Sequence, residues 1–278
     1  TSRSALLEAR ARRVRPGLDD KIVSSWNGLA IRAFAEAGAA LADDRYLDLA
    51  EAAAAFSIEH LTVDGRLMRS WRDGRVSVAG FLEDVASLAV SLFTLYSATG
   101  GTRWYEAAMD HVSRLDAFER EGGGFYQTAS DAKRLLKRPT DLADNPLPSG
   151  NALAAEALLL ASSFSGDGAL RDRAQDALGA AGAIASRFPS MVGHHLAVAL
   201  SSQKPRELAI VGNRWRDLAQ VYWRRYRPDI ALAASESATD AVPLLAGRSP
   251  EETRAFVCRG FVCDLPTTDP AVLESQLA

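Results

Sequence analysis

Cysteine is scarce: the 278 residues hold only Cys258 and Cys263, too few for a disulfide scaffold or a four-cysteine zinc site. Lysine is nearly absent too, occurring only at Lys21, Lys133, Lys137 and Lys204, a coding bias of GC-rich genomes more than a functional signal. Positive charge is not in excess, with 32 Lys and Arg against 35 Asp and Glu, so nucleic acid is not an expected partner. No apolar run approaches the roughly 18 to 20 residues that span a bilayer, and Thr1-Ser2-Arg3-Ser4 is not followed by the apolar core of a signal peptide. A cytoplasmic protein with no membrane partner is the expectation. Catalytic signatures are missing as well. His60, His111, His194 and His195 show no HExxH spacing, there is no GxSxG elbow, and Gly122-Gly123-Gly124 lacks the lysine of a phosphate loop. Neither a metal nor a cofactor is therefore expected.

What is present is apolar material, 47% of residues against 24% charged, patterned mainly as helices. Trp26 to Gly38 is apolar or small at nearly every position, as in a helix buried on several sides, with Gly38 and Asp43-Asp44 expected to break it. Tyr46, Leu49, Ala50, Ala53, Ala54 and Leu61 then recur at three-to-four spacing, describing an amphipathic outer helix. This hairpin unit recurs at 81–99 with 104–118, and at 149–164 with 170–188, while 194–200 begins a fourth. Such recurrence predicts a mainly α fold, a partial α/α toroid of helical hairpins, over 1–203. From 204 to 278 the period becomes that of strands, giving a small C-terminal α/β element packed on the toroid. Cys258 and Cys263 flank a hairpin turn expected at Arg259-Gly260 and read as two buried thiols. The links between hairpins are long, with a turn signal at Asp73-Gly74 and a glycine-rich, then proline-punctuated stretch over 122–148.

Those links feed the N-terminal ends of the buried helices, so polar side chains from several repeats should meet at one mouth. Carboxylates at Asp20, Glu83, Asp84 and Asp131, amides at Asn145 and Asn151, and aromatics at Trp26, Trp71 and Tyr126 form a mixture suited to polyhydroxylated ligands. Asp20, Glu83 and Asp84 are the candidate general acids and bases on a sugar, of which adjacent Glu83 and Asp84 cannot both face the lumen. Lys21, Trp26, Asn27, Trp71, Tyr126, Asn145, Ser149 and Asn151 are the candidate substrate-binding residues. The same residue types also cap helices: Ser25 or Asn27 could cap the first buried helix, and Asp20 could pair with Lys21. If the acids are catalytic, Asp20→Asn or Asp84→Asn should abolish turnover with stability nearly unchanged. His60 and His111 fall on outer helices and are expected to be partly exposed.

Several stretches together carry a resemblance: Arg15-Pro16-Gly17-Leu18-Asp19-Asp20-Lys21, Ser25-Trp26-Asn27-Gly28-Leu29, Gly80-Phe81-Leu82-Glu83-Asp84 and Gly122-Gly123-Gly124-Phe125. They continue through Arg138-Pro139, Asp144-Asn145, Pro148-Ser149-Gly150-Asn151, Glu207 to Gly212 and Thr268-Asp269-Pro270. In this order they resemble the C-terminal part of the thioredoxin-domain-containing, spermatogenesis-associated protein 20 family. The resemblance implies a longer parent protein, with a thioredoxin-like domain followed by an (α/α)6 toroid similar to six-hairpin glycosidases and N-acylglucosamine 2-epimerases. It implies Asp20, Lys21, Trp26, Asn27, Glu83, Asp84, Asn145, Ser149 and Asn151 as candidate site residues. Val85, Thr140 and Pro146 depart from the family's usual residues, which implies an altered site. The expected function is a carbohydrate-related domain, a sugar hydrolase or epimerase. The alternative is a non-catalytic scaffold that serves the thioredoxin-like domain, and self-association is a third expectation wherever buried-helix surface lacks a cover.

Overall fold

The computed structural model describes residues 1–133, 136–249 and 251–278. Helix α1 (Ser2–Ala11), which the periodicity did not reveal, has no buried residue. The two-residue strand β1 (Ile22–Val23) runs into α2 (Ser24–Leu41), and α3 (Asp44–His60) returns beside it. Strands β2 (Thr62–Val63), β3 (Arg66–Arg72) and β4 (Arg75–Ala79) form an antiparallel sheet in which β3 pairs with all three others, turning at Asp73-Gly74. Two more hairpins follow, α4 (Leu82–Thr99) with α5 (Thr102–Ser113), and α6 (Gly150–Ser165) with α7 (Gly168–Ala180). Short α8 (Gly182–Arg187) leads to α9 (Gly193–Ser201). Among the described residues no helix is long and apolar enough to cross a membrane.

The division into inner and outer helices follows from composition. Helix α4 is buried at almost every position and packs on α2 at one side and α6 at the other, while α3, α5 and α7 keep a polar face in water. Outer helices α3 and α7 start on aspartate caps, Asp43 accepting from the Arg45 amide at 3.1 Å and Asp167 from the Ala169 amide at 2.9 Å. Phe93, Tyr96, Tyr105 and Phe164 pack ring against ring at 5.3 to 6.1 Å, locking α4, α5 and α6 together. Gly38 does not break α2. The helix runs on to Leu41, and Gly38 is buried because a methyl there would come within 2.7 Å of Leu47 on α3. The chain instead turns at Ala42, in the left-handed region at φ 51°.

The C-terminal element comprises β5 (Arg206–Val211), α10 (Trp215–Trp223), β6 (Ile230–Ser235), β7 (Arg254–Arg259), β8 (Val262–Cys263) and α11 (Pro270–Gln276). Its sheet order is β6-β5-β7-β8, with β5 and β6 parallel across α10 and the other pairs antiparallel. It closes the C-terminal end of the helical layer: Ser97 donates to the Leu232 carbonyl at 2.7 Å, and Gln220 to that of Ala39 at 2.9 Å. The hairpin turns at Gly260-Phe261, one residue later than expected, with φ of 58° and 66°. This register sets Cys258 directly opposite Cys263, and the pair forms a disulfide where two free thiols were expected.

His111 departs from the sequence expectation as well. It is buried rather than partly exposed, its Nδ1 hydrogen-bonds the Ala107 carbonyl oxygen at 2.8 Å, and Nε2 has no partner. Burial pushes its pKa down to about 4. An unfolded histidine titrates near 6.5, so between these two pH values the unfolded chain binds the extra proton. This contribution to stability is full above about pH 6.5 and is lost as pH falls toward 4, by up to about 3 kcal/mol. Denaturant titrations at pH 7 and pH 4.5 should show a smaller loss in His111→Phe than in the wild type. Equal losses would remove His111 as the cause.

Candidate functional site

The starts of α2, α4 and α6 meet at one end, as the repeats predicted, but most of the polar side chains there hold the framework together. Asp84 sits in the first turn of α4, fully buried. Its Oδ1 accepts the Ser25 amide of α2 at 3.0 Å, and its Oδ2 accepts the Phe81 amide at 2.9 Å and Arg69 Nη1 of β3 at 3.0 Å. Burial raises the Asp84 carboxyl above the ordinary range, against the Phe81 amide and the Arg69 charge. It therefore caps two helices at once, in place of Ser25 or Asn27. Both oxygens are engaged by the framework at a fully buried position, so Asp84→Asn is expected to cost stability, unlike the neutral change the sequence suggested.

Asn151 is spent in the same way. Its Oδ1 accepts the Phe125 amide at 2.8 Å, and its Nδ2 donates to the carbonyls of Phe125 and Asp141 at 3.1 and 2.9 Å, tying the long link to α6. Ser149 caps α6 through the Ala152 amide at 3.2 Å. Asp144 receives the Ser149 amide at 2.9 Å and the His194 amide at 2.7 Å, so one carboxylate starts both α6 and α9.

The remaining candidates scatter. Asp20 does not pair with Lys21: it meets Arg72 at 2.7 Å, while Lys21 meets Asp19 at 3.3 Å, both at the surface. Trp71 packs edge-on against Phe56 of α3 at 5.3 Å, and Tyr126 lies under the Arg138 guanidinium at 4.1 Å. Asn27 bonds back to the Val23 carbonyl at 3.0 Å, and Asn145 is exposed on the link. Asp131, also on that link, is exposed and pairs with Arg66 of β3. Trp26 presents its ring to solvent, 61% exposed, in the first turn of α2. Glu83 meets Arg69 Nη1 at 2.8 Å, and Asp141, which sequence reading passed over, is raised by burial and by the neighbouring charges of Glu83 and Asp144. Two mouth carboxylates thus stand in unlike surroundings, one beside a guanidinium and one beside other acids.

Deeper in, between α2, α4, α6 and α9 and floored by α10 and β6, lies a cavity of about 810 Å³. A line of charge crosses its wall. Arg32 of α2 meets Glu36 at 2.9 Å and Glu156 of α6 at 2.9 Å, and the second Glu156 oxygen meets His194 Nε2 at 2.9 Å. Burial alone would raise Glu156, yet His194 and Arg32 hold its carboxyl below the ordinary range. Tyr222 and the exposed Tyr226 line the same cavity, supplying aromatic faces. None of Trp26, Glu83, Asp84 and Asn151 lines it. Arg32, Glu36 and Glu156 could have been flagged from sequence as charges within otherwise apolar helices, since buried charges are seldom tolerated unpaired.

No protein-family model matches the chain. It is similar to spermatogenesis-associated protein 20 of Homo sapiens, 29% identical over 98% of the chain, and to that of Mus musculus, 28% identical over all of it. The chain spans 38% of the length of these curated relatives. Among solved structures, the GH76 α-mannanase of Bacteroides thetaiotaomicron is similar over 96% of this chain and 69% of its own, with a TM-score of 0.53 at 11% identity. A cellobiose 2-epimerase from Bacillus thermoamylovorans is similar over 73% of this chain and 60% of its own, with a TM-score of 0.50 at 12% identity. At such identities the likeness shows the fold, an α/α toroid. The sequence similarities bear out the family resemblance read from the motifs.

Proposed function

We propose, from the premise that the chain is a relative of the spermatogenesis-associated protein 20 proteins built on an α/α toroid, that it is a carbohydrate-related domain holding a sugar in its lumen. The observation that carries this reading is the cavity of about 810 Å³, large enough for a disaccharide, whose wall sets Tyr222 and Tyr226 beside the Arg32–Glu156–His194 line. Aromatic faces suit sugar rings, and the charged line offers donors and acceptors to hydroxyls. The toroid neighbours, an α-mannanase and a cellobiose 2-epimerase by name, support a sugar as the ligand class. The reaction would be hydrolysis or epimerisation of the sugar in that cavity. His194, at the start of α9 with Glu156 as its partner, would exchange the proton there, whereas the carboxyls at the helix starts, Glu83 and Asp141, lie outside the cavity lining.

Calorimetric titration with a panel of mono- and disaccharides tests this. Binding to at least one sugar is expected, weakened about tenfold or more by Tyr226→Ala or Glu156→Gln in folded protein. Absence of heat for every sugar, with a native circular dichroism spectrum, would sink the reading. One observation favours the scaffold instead: Asp84, Ser149 and Asn151 all bond backbone groups of the framework, with Asp84 also meeting Arg69 and Ser149 also meeting His195. A scaffold would bind the thioredoxin-like domain of a relative in the same calorimeter and leave every sugar unbound. Light scattering would show whether the chain self-associates.

A further inference from the structure

The disulfide lies in a charged setting. On the face of the C-terminal sheet that looks toward the helices, Glu207 of β5, Cys258 of β7 and Cys263 of β8 stand directly opposite one another in one row. Cys258 is fully buried and Cys263 half-buried. Against this row lies Arg248. Its Nη2 is 3.2 Å from Cys263 Sγ and 3.8 Å from Cys258 Sγ, and its guanidinium sits 4.9 Å from the centre of the Phe256 ring. Its Nη1 donates to the Ala246 carbonyl at 3.4 Å, while its Nε is buried without a hydrogen-bond partner. Among the described residues Arg248 forms no ion pair, whereas most of the other half-buried arginines meet a carboxylate.

A desolvated cation without an anion is costly, and a neutral disulfide offers it little. Reduction would create the missing anion in place, a thiolate within reach of the same Nη2. A structural staple is a poor account of the bond, because Cys258 and Cys263 are only five residues apart and a short loop restrains the unfolded chain least. We propose that Cys258–Cys263 is a thiol–disulfide exchange site for a small dithiol, in which Arg248 stabilises the thiolates.

The exchange balances without further reagents. A thiolate of the dithiol attacks the more accessible Cys263 Sγ, the sulfur–sulfur bond breaks, and its electron pair leaves on Cys258 Sγ beside Arg248. The second thiol of the reagent, deprotonated, then attacks its own sulfur in the mixed disulfide and expels Cys263 as thiolate. Two electrons pass from the dithiol to the protein, the reagent departs as a cyclic disulfide, and its two protons go to the cysteines or to water. Besides Arg248, two charged groups bear on the sulfurs, Glu207 within the row and Arg171 from the helical layer. Glu207, whose carboxyl burial raises, accepts from the Phe261 amide at 3.5 Å, and Arg171 of α7 acts on it from the helical layer. Glu207 opposes a thiolate when ionised, and Arg248 favours one. The turn residue Phe261 rests its ring beside Gly166 at the end of α6, so release of the hairpin would be felt by the helical layer.

The test uses the full chain. After treatment with oxidised glutathione, intact mass under non-reducing conditions should show one disulfide, which dithiothreitol opens. In the reduced protein, iodoacetamide alkylation followed against pH should show a thiol titrating below the ordinary value of about 8.5. Arg248→Gln should return that titration to the ordinary value or above and slow reduction by dithiothreitol about tenfold, while Arg248→Lys keeps most of the effect. Glu207→Gln should shift the thiol the opposite way. Two free thiols after oxidation would overturn the proposal. So would identical alkylation profiles and reduction rates in folded Arg248→Gln and wild type.

Discussion

Asp84→Ala is expected to cost about 3 to 5 kcal/mol of unfolding free energy, the range seen when one member of a buried charged network is removed. Two backbone donors lose their acceptor at once, the Ser25 amide of α2 and the Phe81 amide, and Arg69 Nη1 is left with Glu83 alone. The Ser25 amide cannot turn to water, because Ser25 is buried where α2 meets α4 and Gly28 leaves less than 3 Å for a methyl against Ser87. Asp84→Asn should cost somewhat less, since one oxygen remains to accept while the new amide nitrogen faces donors. Asp20→Ala, which breaks only a half-exposed pair with Arg72, should stay within about 1 kcal/mol of wild type. Denaturant titration at pH 7 distinguishes these outcomes. If Asp84→Ala proved as stable as Asp20→Ala, the capping role would fail, and a ligand-facing role for Asp84 would have to be reconsidered.

Glu156→Leu is expected to cost about 3 kcal/mol by leaving Arg32 with Glu36 alone and His194 without a partner. Adding Arg32→Met should recover much of that loss, because replacing both members of a buried pair by apolar groups of similar volume is often neutral. Acid titration offers a second measure. The folded Glu156 carboxyl lies below its ordinary value, so its contribution is present above about pH 4.5 and lost as pH falls through the folded value. Glu156→Gln should therefore show a shallower decline below pH 4.5 than the wild type. A double variant no more stable than Glu156→Leu, or identical acid limbs, would mean that the charged line does not act as a unit.

Both predictions concern residues whose roles were unevenly legible. Helical hairpins were readable because burial on several sides leaves a direct mark, near-continuous apolar character in 26–38 and 81–99 against three-to-four spacing in their partners. The convergence of polar groups at the helix starts was readable for a related reason, since N-terminal amides select short polar side chains. That preference also hid the site. A carboxylate that caps and one that meets a ligand look alike in sequence, so Asp84, Ser149 and Asn151 appeared beside Glu83 as equals. Glu156 was overlooked for the opposite reason: it is the single charge in an apolar helix, and its partners Arg32 and His194 lie far off along the chain.

The sequence by itself determined the class of fold, the alternation of buried and half-exposed helices, and the switch to strands near residue 206, because each is a property of a short window. Tertiary structure alone decided which polar atoms remain unspent. Whether Glu156 reaches Arg32 and His194 depends on how α2, α6 and α9 are rotated about their axes, and a rotation of one residue, about 100°, would separate them. Whether Cys258 meets Cys263 depends likewise on a hairpin register, and turning one residue earlier would have kept the two sulfurs apart.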